Sequence, residues 1–418
     1  MFNKFFKDKT ALKNCNIYQM LAQNAKKKHL SFHTPGHKAG GWDITELSFS
    51  DNLSSPKGCI AQAEKDVAEI LGANKSFLLT DGSTCGILCM LQAAKTLGAQ
   101  KIAFSETAHK SVWNGCAVLG LQALVFAHET DREILLAADA VLVTSPDYYG
   151  HIPDLAALRA FCDEHGKLLL IDGAHGGHLH FDQTLYAGAY ADMWVDGVHK
   201  SLPALTQGAI VSAKTETYAK ALLGAVDIFR TTSPSYPIMA SVEYAVKAPQ
   251  NVWLIGAVDA LAQKYPERIS RDRDYTKLRV RFGSHAFTAQ KDLEKQGVYT
   301  EFCDGDILLF YLSCQTEKRA LAALEKALVK LFAKYPLTDG HSIHAPVVLP
   351  KTEQTEWVEK KACAGRIAAR NIGLFPPCVP LVKRGELITN EALSLLEQAD
   401  NVFGIYEEKI LVFKGEEV

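Results

Sequence analysis

Seven short apolar runs along residues 76–211, with stretches of helical length between several of them, restrict the fold of this chain more than any single motif. They are Ser76–Thr80, Lys101–Phe104, Ala123–Ala127, Ala140–Thr144, Lys167–Asp172, Met193–Val195 and Ala209–Val211. Each reads as a strand. One intervening stretch shows both helix boundaries: Asp154, after Pro153, is a natural N-cap, and Gly166 a natural C-cap. Strands alternating with amphipathic helices define an α/β layer with a mostly parallel sheet. Polar residues that follow such strands lie at the carboxyl edge of the sheet, where α/β folds bind ligands.

After this layer the pattern changes. Ile238 to Lys264 reads as helical. From Leu278 come a strand, a helix (Thr288–Gln296), two further strands, the second Asp306–Ser313, and a helix (Glu317–Lys334), the outline of a smaller α+β domain. Charges crowd at Pro266–Tyr275, the expected linker. The expected domains are 1–270, a large ligand-binding domain with an N-terminal arm, and 271–418, a small C-terminal domain. With 418 residues, 48% of them hydrophobic, the chain has material for both cores.

Charge and cysteine usage narrow the function classes. The 45 Lys and Arg against 47 Asp and Glu give a formal net charge of -2, so no basic excess points to nucleic acid. No apolar run reaches the ~20 residues of a membrane helix, and residues 1–14 lack a secretory signal. The ten cysteines form no CxxC pair, and Cys85 and Cys89 share one helical face. Buried free thiols in a reducing cytosol fit this usage, so the expected location is cytoplasmic.

Four places carry candidate chemistry. Asp172 ends a strand and opens Asp-Gly-Ala-His-Gly-Gly-His, residues 172–178. A carboxylate there suits pyridoxal phosphate (PLP), because an acid beside the pyridine nitrogen keeps it protonated and makes the ring an electron sink. Alone, the segment reads better as an Asp-Gly turn. Lys200 follows another strand, 28 residues later. Alone it is a solvated lysine; paired with Asp172 it becomes a candidate for an imine with an aldehyde. Gly82-Ser83-Thr84 joins a strand to an apolar helix, which suits a phosphate or an ordinary helix cap. His109 follows a strand and is placed either to stack on a flat ring or to lie half-buried at the surface. Neither a Walker spacing nor GxGxxG after a strand is present. His175, His178 and His180 compose HxxHxH, a rival metal reading, but the spacing matches no familiar ligand motif, and the expected site contains no metal.

Taken in order, these segments resemble the Orn/Lys/Arg decarboxylase family, fold-type-I PLP-dependent enzymes. The resemblance spans nearly the whole chain. It runs through Phe32-His33-Thr34-Pro35-Gly36-His37-Lys38-Ala39-Gly40, Asp43-Ile44-Thr45-Glu46-Leu47, Gly82-Ser83-Thr84, His109-Lys110-Ser111 and the 172–178 segment. It continues with His199-Lys200-Ser201-Leu202-Pro203, Thr231-Thr232-Ser233-Pro234 and Phe375-Pro376-Pro377-Cys378-Val379-Pro380. The chain resembles short members without the N-terminal wing domain.

The resemblance implies that Lys200 carries PLP as a Schiff base and that Asp172 pairs with the pyridine nitrogen. His109 stacks on one ring face, Ala174 packs on the other, and His175 sits beside the cofactor. Ser83, Thr84 and His199 hold the phosphate, while Thr232 and Ser233 reach the phosphate of a second subunit in a homodimer. The implied reaction is decarboxylation of arginine, lysine or ornithine, with another fold-type-I activity or a non-catalytic PLP-binding homologue as alternatives. Asp51 and Glu386 are among the candidate acids for the substrate side chain. Three positions depart from the family: Gly173 replaces a Glu, Gly197 a Ser three residues before the lysine, and Cys378 a Gly.

Overall fold

The computed structural model describes residues 6–27, 30–38, 41–249, 253–339, 354–375, 378, 380–399 and 401–417. Ala39, Gly40, Pro376, Pro377 and Val379 of the segments above lie outside them. The chain forms two compact units. The first comprises Met1–Glu106, Ser111–Trp253 and Ser313–Gln315, and the second Thr107–Lys110, Leu254–Leu312 and Thr316–Val418.

The first unit is built on a seven-stranded sheet: β1 (Lys75–Leu79), β2 (Lys101–Ser105), β3 (Gln122–Phe126), β4 (Ala140–Thr144), β5 (Leu168–Gly173), β6 (Met193–Asp196) and β7 (Ala209–Ala213). Each of the seven expected strands is present. The spatial order is β1-β7-β6-β5-β4-β2-β3, and only β7 runs against its neighbours. Leu78, Ala103, Val141, Ile171, Trp194 and Ile210, one from each of six strands, lie in one buried cluster with side chains from flanking helices. Strands covered on both faces read as continuous apolar runs rather than alternating ones, which is why their positions were legible.

Helix ends follow local chemistry. Helix Leu155–Glu164 starts at Asp154, whose side chain accepts from Ala157 N at 3.0 Å, and Gly166 beyond it has φ +62°. The expected helical stretch 238–264 is two helices, Tyr236–Lys247 and Trp253–Lys264. Pro249 disfavours helical backbone at Ala248, which is extended (ψ 142°).

In the second unit a four-stranded antiparallel sheet has the order β10 (Phe302–Cys303), β11 (Ile307–Tyr311), β9 (Lys277–Arg281), β8 (Ile269–Ser270). The charged stretch 266–275 is therefore no free linker: β8 pairs with β9 through Ile269–Val280 and Ser270–Arg279. This pairing draws residues 254–270 into the second unit, whereas the sequence reading grouped them with the first. Two further small antiparallel sheets follow residue 354. No helix among the described residues is long and apolar enough to cross a membrane.

Candidate active site

The carboxyl edges of β5 and β6 bring the principal side chains together. These strands are parallel, with Asp172 beside Val195 and Gly173 beside Asp196, so the segments that leave them start side by side. Asp172 is 1% exposed, and its Oδ1 accepts from Ala174 N at 3.1 Å. Burial raises the pKa of its carboxyl; the nearby Lys200 charge and the Ala174 N–H oppose that rise. Lys200 lies on the short helix Val198–Ser201 that follows β6. Its Nζ is 3.2 Å from His175 Nε2. The Tyr148 ring meets His175 edge-on, with centroids 5.1 Å apart and planes at 83°.

The turn after β1 approaches the same place. Gly82 takes φ +74°, a conformation glycine adopts without a Cβ penalty, and its N–H donates to Gln207 O at 2.9 Å. Ser83 follows in the first turn of helix Gly82–Thr96; its buried Oγ has no hydrogen-bond partner among the described residues. His199 N donates to Gly208 O at 3.1 Å, and His199 Nδ1 lies 3.0 Å from the same oxygen. Burial lowers the His199 pKa, so the ring favours its neutral form.

Gly197 closes this group. A Cβ there would lie 2.3 Å from Ala174 O and 2.7 Å from Ser83 Oγ. The space a serine would need is thus occupied by the Ala174 carbonyl and the Ser83 hydroxyl. Gly173 is similar: its Cβ would stand 2.8 Å from Val195 O. Both departures from the family match the local backbone.

The expected residues divide by location. Lys200, Asp172, Ala174, His175, Ser83 and His199 belong to the first unit and to the contacts just described. Thr84 is exposed beside Ser83. Thr232 and Ser233 are exposed on a loop whose root is tied to the Ser83 turn by Thr231 N donating to Asp81 Oδ2 at 3.4 Å. His109 belongs to Thr107–Lys110, the short segment that groups with the second unit.

Asp51 and Glu386 already serve their own backbone. Asp51 accepts from Asn52 N and Lys57 N through Oδ1, and from Gly58 N and Ile60 N through Oδ2, all at 2.8–2.9 Å. Partial burial pushes its pKa up, but these donors outweigh that and the net shift is downward. Glu386 Oε2 accepts from Lys383 N at 2.7 Å. Sequence reasoning missed Tyr148, although a polar aromatic just past β4 satisfies the strand-edge rule applied to Asp172 and Lys200. Among the described residues no group of three or more His, Cys, Asp or Glu is arranged to hold a metal. Instead His175 meets Lys200, and His180 Nδ1 lies 2.6 Å from Gly177 O.

A buried acid, a lysine at the adjacent strand end and a helix start with an unpartnered hydroxyl fit a cofactor with a pyridine nitrogen, an aldehyde and a phosphate. Fold and site together define the class: a fold-type-I PLP-dependent enzyme. The family model for the Orn/Lys/Arg decarboxylase major domain matches residues 41–136 and 121–253, together just over half of the chain. The chain belongs to this family and is a PLP-dependent amino-acid decarboxylase.

It is 27% identical to an uncharacterized protein, YaaO, of Bacillus subtilis (strain 168), over 97% of this chain and 99% of that one. It is 25% identical to an arginine decarboxylase of the same organism, over 91% of this chain and 92% of that one. The solved structure of the E. coli constitutive lysine decarboxylase shares its fold, with a TM-score of 0.71 at 17% identity, over 96% of this chain and 82% of that one.

Proposed function

We propose that this protein removes the α-carboxylate of a basic amino acid, arginine, lysine or ornithine, as CO2 and releases the corresponding amine. The observation that carries the reading is the convergence of Lys200, His175 and buried Asp172 at the β5–β6 edge. PLP, when bound, supplies the electron sink for the pair left by the departing CO2. Lys200 would hold PLP through its aldehyde carbon. Asp172 keeps the pyridine nitrogen protonated. Ser83, Thr84 and His199 would hold the phosphate, and Ala174 would pack against one ring face.

His175, 3.2 Å from Lys200 Nζ, accepts a hydrogen bond from that amine and assists the return of a proton to the substrate α-carbon. Tyr148 holds the His175 ring at a fixed angle.

The working unit in this reading is a homodimer in which Thr232 and Ser233 reach the partner's phosphate. A cytoplasmic location accords with ten cysteines that form no disulfide among the described residues. The test is a panel of arginine, lysine and ornithine scored for stoichiometric CO2 and amine. Keto-acid formation without CO2 on all three would overturn the proposal in favour of transamination.

A further inference from the structure

A buried ion pair sits on the outer edge of the main sheet. β1 is the last strand on its side, with β7 as its neighbour. Leu78 of β1 stands opposite Ile210 of β7. Its own N–H and C=O point the other way, as both groups do in alternate pairs of an antiparallel ladder. Glu64, 1% exposed on helix Cys59–Leu71, accepts from Leu78 N at 3.3 Å. Arg230 Nη1 donates to Leu78 O at 3.3 Å and lies 3.4 Å from the same Glu64 Oε1. The pair takes the place of a further strand and satisfies backbone groups that would be costly to bury alone.

Arg230 reaches further than this edge. It ends helix Glu216–Phe229, and its own backbone is extended (ψ 140°). Its side chain is 7% exposed, and Nη2 donates to Leu53 O at 2.7 Å. The next residue, Thr231, donates its N–H to Asp81 Oδ2. One guanidinium therefore joins β1, which runs on into the Gly82–Ser83 turn, to residue 53 and to the root of the loop that carries Thr232 and Ser233. The far root of that loop is held as well, because buried Tyr236 donates its hydroxyl to Asp51 O at 2.7 Å. Thr232 and Ser233 are exposed between two roots fixed by buried side chains. Desolvation offsets most of the attraction in a buried ion pair, so Glu64 and Arg230 add little stability by charge alone. Their consequence is geometric: a planar fork sets several carbonyls at fixed separations, which a lysine ammonium cannot do.

We propose that Arg230, braced by Glu64, is a positioning residue for phosphate recognition, holding the Ser83 turn and the Thr232–Ser233 loop in one frame. The inference rests on the reading that Lys200 binds PLP with its phosphate at Ser83. Arg230 acts through these two segments and through no contact of its own with the cofactor.

The experiment compares PLP with pyridoxal, which has the aldehyde and ring but no phosphate. Apoprotein is titrated with each, and the visible band gives two Kd values for the wild type, Arg230→Met, Arg230→Lys and Glu64→Gln. In Arg230→Met the preference for PLP over pyridoxal should fall about tenfold, the size of one lost hydrogen bond, with the pyridoxal Kd near that of the wild type. Arg230→Lys should show most of this loss, and it carries the test if Arg230→Met yields no folded protein. Glu64→Gln keeps an acceptor for Leu78 N and should lose less. A wild-type preference in both Arg230 variants would overturn the proposal. So would equal weakening of PLP and pyridoxal, the pattern of a merely structural role. A wild type that forms no band with PLP, or that binds pyridoxal as tightly as PLP, refutes the underlying cofactor reading, a distinct result.

Discussion

Lys200 Nζ and His175 Nε2 lie 3.2 Å apart, although 25 residues separate them in the chain. The parallel pairing of β5 and β6 makes this possible, because each residue starts from an adjacent strand end. A neutral imidazole beside a lysine amine can accept its proton and return it, which a surface lysine has no means to do. His175→Phe should therefore retain PLP but lose roughly 100-fold or more in kcat, the scale of a lost acid–base group. Steady-state kinetics together with the visible band separate the two effects; wild-type kcat would remove His175 from proton transfer.

Asp172 illustrates a cost in stability tied to function. Its carboxyl is buried and its pKa is raised by that burial. Asp172→Asn should raise the thermal midpoint of the apoprotein, because a carboxyl whose charged form burial disfavours is replaced by a neutral amide. The same change should weaken the electron sink and reduce kcat sharply. Calorimetry on the apoprotein and CO2 release on the PLP-loaded protein measure the two halves.

Gly197→Ser should harm the protein even though serine is the family's usual residue. The new Cβ would lie 2.3 Å from Ala174 O, a backbone atom that cannot rotate away. A loss of about 1–3 kcal/mol in unfolding free energy is expected for such overpacking, with weaker PLP binding because Ser83 must move. Denaturant unfolding and PLP titration check both.

Stability should fall as pH rises through the Asp196 range. Burial pushes this carboxyl up to about 7, while donors from Tyr186 and Trp194 pull the other way. Between the ordinary aspartate value of about 4 and that folded value, the folded chain keeps a proton that the unfolded chain has lost. The stabilisation is complete below about pH 4 and is lost as pH rises toward 7. Asp196→Asn should flatten this part of the stability profile, measured by denaturant melts at stepped pH.

Much of the first unit was legible in the sequence because buried parallel strands leave continuous apolar runs, and all seven were placed within one or two residues. Asp172 and Lys200 were legible because each follows such a run. The rest depended on contacts between distant segments. β8 is two residues long in a charged stretch and is recognisable only by its pairing with β9. The capping role of Asp51 depends on φ +66° at a non-glycine residue, which brings backbone donors from residues 52–60 onto one carboxylate. Cys378 has φ +62°, which explains why glycine is usual there and shows this chain accepting the cost of a side chain. Gly173 and Gly197 read as losses in the sequence; in the structure the Val195 and Ala174 carbonyls and the Ser83 hydroxyl fill the space.

The central claim is that Lys200 holds PLP in a decarboxylase site, and absorbance of the purified protein with added PLP tests it most directly. The wild type should develop the visible band of a lysine–PLP Schiff base, Lys200→Ala should not, and only the former should release CO2 from a basic amino acid. A wild type without the band, or a Lys200→Ala variant that keeps it, would contradict the account.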